Sequence, residues 1–389
     1  MNKLLFASLA LSLLAAHLPA PALAAGGQQE ANPCSTAGPI STAENCNPFE
    51  SSYVLHRMLE SDKFFFEEPL PTASPDPALT QLPFYYARVN TANAPVFASP
   101  EDAAARKPVA STISIVDGGL GYVTYTDVRE INGKNYYMIA YGQWMRRGDI
   151  SPNQLYSQFM GVQFTATPAR QFGWLVDLQV SGQVQPRKAP SHSAALGDRY
   201  YNQDSVVQVY ETRVIDGETW YKIGPDLWLE ARQLHLVVPN TTQPEGVTNG
   251  RWIEVNLEQQ TLSVYQDGQL VYATLIATGV DGVWTRPGLF QIYERLESTL
   301  MKGAFEADRS DFYYLEDVPW TMYFDEARAL HGAYWRARLG FEQSHGCVNL
   351  TVADSHWLFN WATDGDWVWV HDPSGRTPED PSLYGAGGA

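Results

Sequence analysis

Apolar and polar positions change rhythm several times along the chain. Lys3 precedes an apolar run, Leu4–Ala16, and Ala22-Leu23-Ala24 offers a small-x-small cleavage point, so residues 1–24 read as a secretory signal. Prolines at 33, 39, 48, 69, 71, 75 and 77 then break any regular pattern. Residues 25–80 read as a tether, with helical spacing only within Ser52–Phe65, at Val54, Leu55, Met58 and Leu59. From residue 84 the period becomes that of strands. Phe84–Asn90, Ile113–Val116, Tyr122–Thr126 and Tyr136–Ala140 are rich in Tyr, Val, Ile and Thr, and Asn132-Gly133 marks a hairpin turn.

A second block repeats the first at a constant offset of 84 residues. Gly133 aligns with Gly217, Tyr136-Tyr137 with Trp220-Tyr221, Trp144 with Trp228 and Ile150 with Leu234. Two small β-barrels are expected, at 84–152 and 173–239, with a short helix within 151–172. The order of hairpin turn, aromatic-Tyr, Trp and hydrophobic residue resembles bacterial SH3-like domains. That resemblance implies modules that contact cell-wall glycan. The same aromatics serve equally as barrel core in modules that only space the chain.

A third block, 250–372, is mixed but β-rich. Trp252–Asn256 and Leu262–Gln266 alternate, Asp267-Gly268 turns the chain into Gln269–Thr274, and Phe290–Tyr293 follows the turn Arg286-Pro287-Gly288. Residues 296–322 form a long aromatic-rich connection, expected to be a flap near a site. Thr351-Val352-Ala353-Asp354 has the form of a capping-box helix start, and Trp357, Leu358 and Trp361 give that helix an apolar face. Asp364-Gly365 stops it before a last strand, Trp367–Val370. Residues 373–389, rich in Gly and Pro, read as a flexible tail.

Composition narrows the partners. A formal net charge of −17 disfavours nucleic acid and anionic membrane surfaces. No later stretch reaches the roughly 18 apolar residues of a membrane helix. With the leader, this predicts an exported protein of the cell wall, periplasm or extracellular space. Of three cysteines, Cys34 and Cys46 lie close together in a segment suited to a disulfide loop, which leaves Cys347 unpaired.

Cys347 sits in Ser344-His345-Gly346-Cys347-Val348-Asn349, 16 residues after His331. A thiol attacks a carbonyl as its thiolate, so an imidazole must take the proton or pair with the anion. His345 shares Cys347's strand, where backbone geometry limits its reach. His331 is free to come from a neighbouring strand and is the expected base, with the Gly332 carbonyl as its orienting partner. Gly346 lets a substrate approach the main chain, and the amides of Gly346 and Cys347, with His345, are candidate oxyanion donors.

Residues 250–371 resemble the L,D-transpeptidase catalytic domain (the YkuD family). That family carries a His, a spacer, then Ser/Thr-His-Gly-Cys, a hydrophobic residue and Arg or Asn. Thr285-Arg286-Pro287-Gly288-Leu289-Phe290 matches the family's upstream "T-P-x-G-x-F" pattern, shifted by an Arg before the Pro. The resemblance implies a β-rich domain, preceded by the two barrels, in which Cys347 forms a thioester with a peptidoglycan stem peptide. D-alanine leaves, and a second stem's amine resolves the thioester to a 3→3 cross-link. It implies His331 as base and then acid, Ser344 and Asn349 holding the loop, His345 lining the pocket, acylation of Cys347 by β-lactams such as carbapenems, and no metal or cofactor.

Other readings compete. Water as acceptor would make an L,D-carboxypeptidase, and a protein lysine would anchor protein to peptidoglycan. A buried inert Cys347 would leave a non-catalytic wall-binding protein. His331, His345 and Cys347 could also ligate zinc with His356 or His371, although His-x-Cys lacks the usual ligand spacing.

Overall fold

In the computed structural model the described residues are 69–385, apart from 110–111, 114–118, 153–155, 180 and 307. The leader, the helical spacing at 54–59, the Cys34–Cys46 pair, most of the strand expected at Ile113–Val116 and the last four residues lie outside them.

The third block forms strands β1 (Arg251–Asn256), β2 (Thr261–Gln266), β3 (Gln269–Leu275), β4 (Gly288–Gln291), β5 (Glu294–Gly303), β6 (Tyr313–Asp325), β7 (Arg328–Gly332) and β8 (Val348–Leu350), then helix α1 (Val352–Trp361) and strand β9 (Trp367–His371). Two sheets share a core. The first runs Thr72–Ala73, Val162–Phe164, β3, β2, β1, β9, β4. The second runs β8, β7, β6, Leu120–Tyr125, Tyr85–Val89, Ile150–Pro152, with β5 hairpinned onto β6.

Alternation explains why the first sheet is buried on both faces. Ile253, Val255, Leu262 and Val264 enter the core between the sheets, which Leu330, Val348, Leu350 and Leu358 complete. Trp252, Tyr265, Leu270 and Ala273 face the other way and pack with Phe172, Trp174 and Val237 of the second repeat. Burying side chains of this size stabilises by roughly 1.5–3 kcal/mol each.

The repeat is visible in the pairing itself. Asp127–Ile131 pairs with Lys134–Ala140 and Gln143–Arg146, and Glu211–Ile215 pairs with Glu218–Gly224 and Leu227–Glu230. Val128 opposite Tyr137 corresponds at the same offset to Thr212 opposite Tyr221, and the bulge at Met138/Ala140 corresponds to one at Lys222/Gly224. Each hairpin turn is an Asn-Gly or Asp-Gly pair with positive φ at both residues, the conformation a type I′ turn requires.

The repeats are not strung beside the third block as separate beads. Leu120–Tyr125 pairs in parallel with β6, and Val162–Phe164 pairs antiparallel with β3, so strands from outside 250–372 extend both sheets. Among the described residues of 151–172 there is no helix; Val162–Phe164 is the strand on β3, and Gly161 before it runs too close to β3 for a side chain. A Cβ there would lie 2.5 Å from the Ala273 carbonyl oxygen. The connection at 296–322 is mostly the β5–β6 hairpin. The C-terminal stretch also packs, through a 3-10 turn at Pro381–Leu383 that brings Tyr384 against Trp284.

Helix α1 starts as its sequence predicts, with the Thr351 hydroxyl accepting from Asp354 N (3.1 Å). Asp354 does not close a capping box. It is fully buried and accepts from Gly161 N (2.7 Å), Tyr272 OH (2.7 Å) and Thr274 Oγ1 (2.5 Å), which ties the helix to the segment between the repeats.

Candidate active site

Register builds the site. Strands β7 and β8 run parallel, with Leu330 opposite Val348 and His331 opposite Asn349. Alternation therefore sends Leu330, Val348 and Leu350 into the core and turns Ala329, His331, Cys347 and Asn349 to the other face. There Cys347 packs in a cluster with Ala329, Tyr313, Trp320 and Tyr334, to which the first repeat adds Tyr86 and Tyr122. Tyr86 stacks on Tyr334 (3.6 Å between centroids), and its hydroxyl donates to the Asp317 carbonyl (2.7 Å).

The turn before Cys347 is closed by its own side chains. Ser344 Oγ donates to the Cys347 carbonyl (2.6 Å) and accepts from Gly346 N (3.1 Å). Gly346 takes φ +114°, a conformation that favours glycine. Thr285 Oγ1 accepts from Gly279 N (3.0 Å) and donates to the Gly346 carbonyl (2.8 Å), while Asn349 exchanges two backbone bonds with Ala277. The Gly346 amide, expected as an oxyanion donor, is thus engaged within the turn.

The Cys347 thiol is 7% exposed and donates to the Ala327 carbonyl at 3.8 Å. Burial pushes it up to about 11, against the opposing pull of the Ala329 amide and the Arg328 charge. Burial likewise pushes His331 down to about 4. Its Nδ1 lies 3.4 Å from the Gly332 carbonyl, the expected orienting partner, and its Nε2 lies 3.2 Å from Asn349 Nδ2. Asn349 Oδ1 accepts from Arg336 Nε (2.8 Å), so its amide NH₂ faces His331 and leaves the ring proton on Nδ1. Thiol and imidazole share a face, both neutral, but each nitrogen of the ring is turned to another partner. The sulfur's own hydrogen bond goes to β7's backbone.

His345 belongs to a different group. Its ring lies between Phe305 (5.1 Å) and Tyr313 (5.2 Å), with Nε2 at 3.5 Å from Asp311 Oδ2. All three partners come from the tip of the β5–β6 hairpin, which covers this side of the motif. Desolvation lowers the His345 pKa, Asp311 opposing. The zinc set does not assemble: His356 stacks on Trp320, His371 bonds Glu254, and among the described residues no group of three or more His, Cys, Asp or Glu side chains could hold a metal.

Sequence reading missed Arg336, Asp311 and Arg328. Arg336 is half-buried, and desolvation lowers it to about 10. It holds Asn349 and also donates to Gln343 Oε1 (3.1 Å). Its signal was only an arginine in an otherwise apolar stretch, Ala333–Trp335, after His331. Asp311 is one acid among many until the hairpin folds over.

Residues 250–370 match the YkuD family model, the L,D-transpeptidase catalytic domain. A curated relative, the putative L,D-transpeptidase YciB of Bacillus subtilis (strain 168), is 21% identical over 126 residues, 28% of this chain. The chain spans 59% of that relative's length. Among solved structures, the catalytic domain of the E. faecium L,D-transpeptidase is 28% identical, over 32% of this chain and 100% of that one, with a TM-score of 0.29. An L,D-transpeptidase (Yku) from Stackebrandtia nassauensis is 26% identical, over 36% and 63%, with a TM-score of 0.27. The matched region contains both His331 and Ser344–Asn349. It excludes the two repeats, whose SH3-like character rests on their aromatic pattern alone.

Proposed function

We propose that this chain is an exported cysteine L,D-transpeptidase that joins peptidoglycan stem peptides through a thioester on Cys347. The observation that carries this reading is the placement of Cys347 and His331 on one face of adjacent parallel strands, within the region that matches the L,D-transpeptidase family model.

In the proposed reaction Cys347 Sγ attacks the carbonyl on the L-centre of meso-diaminopimelate in a tetrapeptide stem. The thiol proton passes to Nε2 of His331, and the carbonyl oxygen becomes an oxyanion. Collapse breaks the C–N bond, and D-alanine leaves with the proton from His331. The side-chain amine of a second stem then attacks the thioester carbonyl and loses its proton to His331; the C–S bond breaks, His331 returns the proton to the departing Cys347 sulfur, and the amide formed is the 3→3 link. Because burial holds both groups neutral at rest, the thiolate forms only as the proton is transferred. Asn349 must release Nε2, or the ring must turn, before that transfer. Hydrogen bonds of this kind tighten in the substrate complex.

In this reading the hairpin tip at Phe305 and Asp311 covers the donor stem, and the repeats contact cell-wall glycan. A carbapenem acylates Cys347 by opening its β-lactam ring. Incubating mature protein with purified tetrapeptide muropeptides and analysing the products by mass spectrometry tests the proposal. Dimers linked 3→3 support it. Trimmed tripeptides alone would make the enzyme a carboxypeptidase, and unchanged muropeptides would remove the activity.

A further inference from the structure

The two repeats carry a cleft at the same place, and the reaction described above uses neither. Tyr136 stands opposite Arg146 in the first repeat, and Trp220 stands opposite Glu230 in the second, again at the offset of 84 residues. Tyr136, Arg146, Gly148 and Asp149 line a cavity of about 720 Å³. Their counterparts Trp220, Glu230, Arg232 and Gln233 line one of about 500 Å³. Tyr136 and Trp220 are buried, so each cavity has an aromatic wall among polar ones, the usual make-up of a ligand site.

The charge of the walls differs. In the first cleft Arg106, Lys134, Arg146 and Arg147 stand against two carboxylates, Glu130 and Asp149. Arg146 is committed to the buried Asp149, which its Nε (2.6 Å) and Nη2 (2.9 Å) hold as a fork. Arg147 gives Nη1 to the Tyr137 hydroxyl (3.2 Å). The side chains of Arg106 and Lys134 are exposed and have no hydrogen-bond or ion-pair partner among the described residues. Arg106, Lys134 and Arg147 are thus left over against Glu130, on a chain whose formal net charge is −17. Arg106 also holds φ +54° just past the helix Pro100–Ala104, where glycine is the usual residue. The second cleft has no such excess. Arg187 and Arg232 there match Asp177 and Glu230, and the remaining walls are mainly glutamine amides with the exposed Leu178, Leu196 and Tyr200.

We propose that the cleft of the first repeat is a carboxylate-binding site whose ligand is the acidic stem peptide of the cell wall. The inference rests on the proposed contact of the repeats with the wall and refines it. A guanidinium presents paired N–H donors that match both oxygens of a carboxylate. A concave surface lined by an excess of one charge concentrates the opposite one. Glycan hydroxyls are neutral and leave the three surplus cations unmatched, whereas a stem peptide brings free carboxylates to them. The second cleft, equal in position and balanced in charge, lacks the feature that selects an anion.

The test is co-sedimentation of the full chain, carrying Cys347→Ala to prevent acyl transfer, with purified sacculi. Three preparations are compared: untreated, stripped of phosphodiester polymers with hydrofluoric acid, and amidated at their carboxylates with carbodiimide and ammonia. Amidation is expected to weaken binding about tenfold, and stripping to leave it unchanged. Arg106→Gln/Lys134→Gln, which removes two side chains that make no internal bond, should bind untreated sacculi about tenfold more weakly and no longer distinguish them from amidated ones. Glu130→Gln should bind untreated sacculi about threefold more tightly. Lys188→Gln/Arg232→Gln removes the same charge from the second repeat and should leave binding as it is. A chain that sediments with none of the preparations removes the wall contact of the repeats and this proposal with it. Binding that is lost on stripping, or that Arg106→Gln/Lys134→Gln leaves unchanged, overturns the carboxylate site while the wall contact stands.

Discussion

His331 and Asn349 face each other across parallel strands β7 and β8, and the Asn349 amide nitrogen lies 3.2 Å from His331 Nε2. Arg336 fixes which way that amide points, because its Nε occupies Asn349 Oδ1 at 2.8 Å. The chain Arg336–Asn349–His331 therefore sets the tautomer of the proposed base from outside the motif.

Removing the tether should loosen the base without removing it. Asn349→Ala is expected to lower the rate of Cys347 acylation about tenfold, less than the roughly 10²–10⁴-fold that a positioned acid–base group contributes, because the base is loosened and not removed. Arg336→Met should lower it less, since the amide can still reach the ring in one of two orientations. Stopped-flow acylation by a carbapenem measures both. Equal rates in all three proteins would leave the tether without a catalytic role.

The pH profile follows from burial. His331, held down to about 4, is a competent base above that pH, and Cys347, pushed up to about 11, stays a thiol below that value. Acylation by substrate should therefore be nearly flat from about pH 5 to 10. Simple alkylation, which needs a preformed thiolate, should climb across the same range. A lower limb near pH 6.5 in the substrate profile would mean that His331 is solvated or is not the base.

Stability should fall in acid for the same reason. His331 and His235 are both held down to about 4 by burial, below the ordinary value of about 6.5. Their folded-state pKa values are depressed, so the unfolded chain binds more protons between pH 6.5 and 4. Stability is full above about 6.5 and is lost as pH falls through that window, by about 3 kcal/mol per histidine. Urea unfolding at pH 7.5 and 5.0 should show the loss, and His235→Gln should reduce it. His235 lies against Gly340, where a Cβ would meet its Nε2 at 2.6 Å, so the effect bears on the loop leading into the motif.

The buried carboxylate of Asp354 supports a prediction about architecture. It bonds Gly161, Tyr272 and Thr274 and joins α1, β3 and the segment between the repeats. Asp354→Ala strands three donors and should destabilise by about 3 kcal/mol or more. The expected result is a lower Tm together with faster proteolysis near residue 160. An unchanged Tm would mean that the segment docks by apolar contacts alone.

Much of this was legible before any fold was known, and the exceptions share a cause. Periodicity and turn chemistry are local, so the strands around Asp267-Gly268, the start of α1 and the register of the repeat follow from the residues themselves. The Ser344–Asn349 motif is local too, as is the case for His331 over His345. The sheet partners of Leu120–Tyr125 and Val162–Phe164 depend on residues about 110–200 positions away, which no short window contains. Arg328 escaped notice because an odd spacing from His331 puts it on the opposite strand face. The packed C-terminal stretch escaped because its Gly and Pro content reads as loose until Arg328, Trp284 and Tyr384 meet.

The central claim is that Cys347 carries the acyl group, and intact-protein mass spectrometry tests it directly. Mature protein is mixed with a tetrapeptide stem lacking an acceptor amine, quenched in acid and weighed. The account predicts an adduct of the donor stem less D-alanine, located on the Cys347 peptide, reversed by hydroxylamine and absent from Cys347→Ala. An adduct that persists in Cys347→Ala, or cross-linking that continues without that thiol, would contradict it.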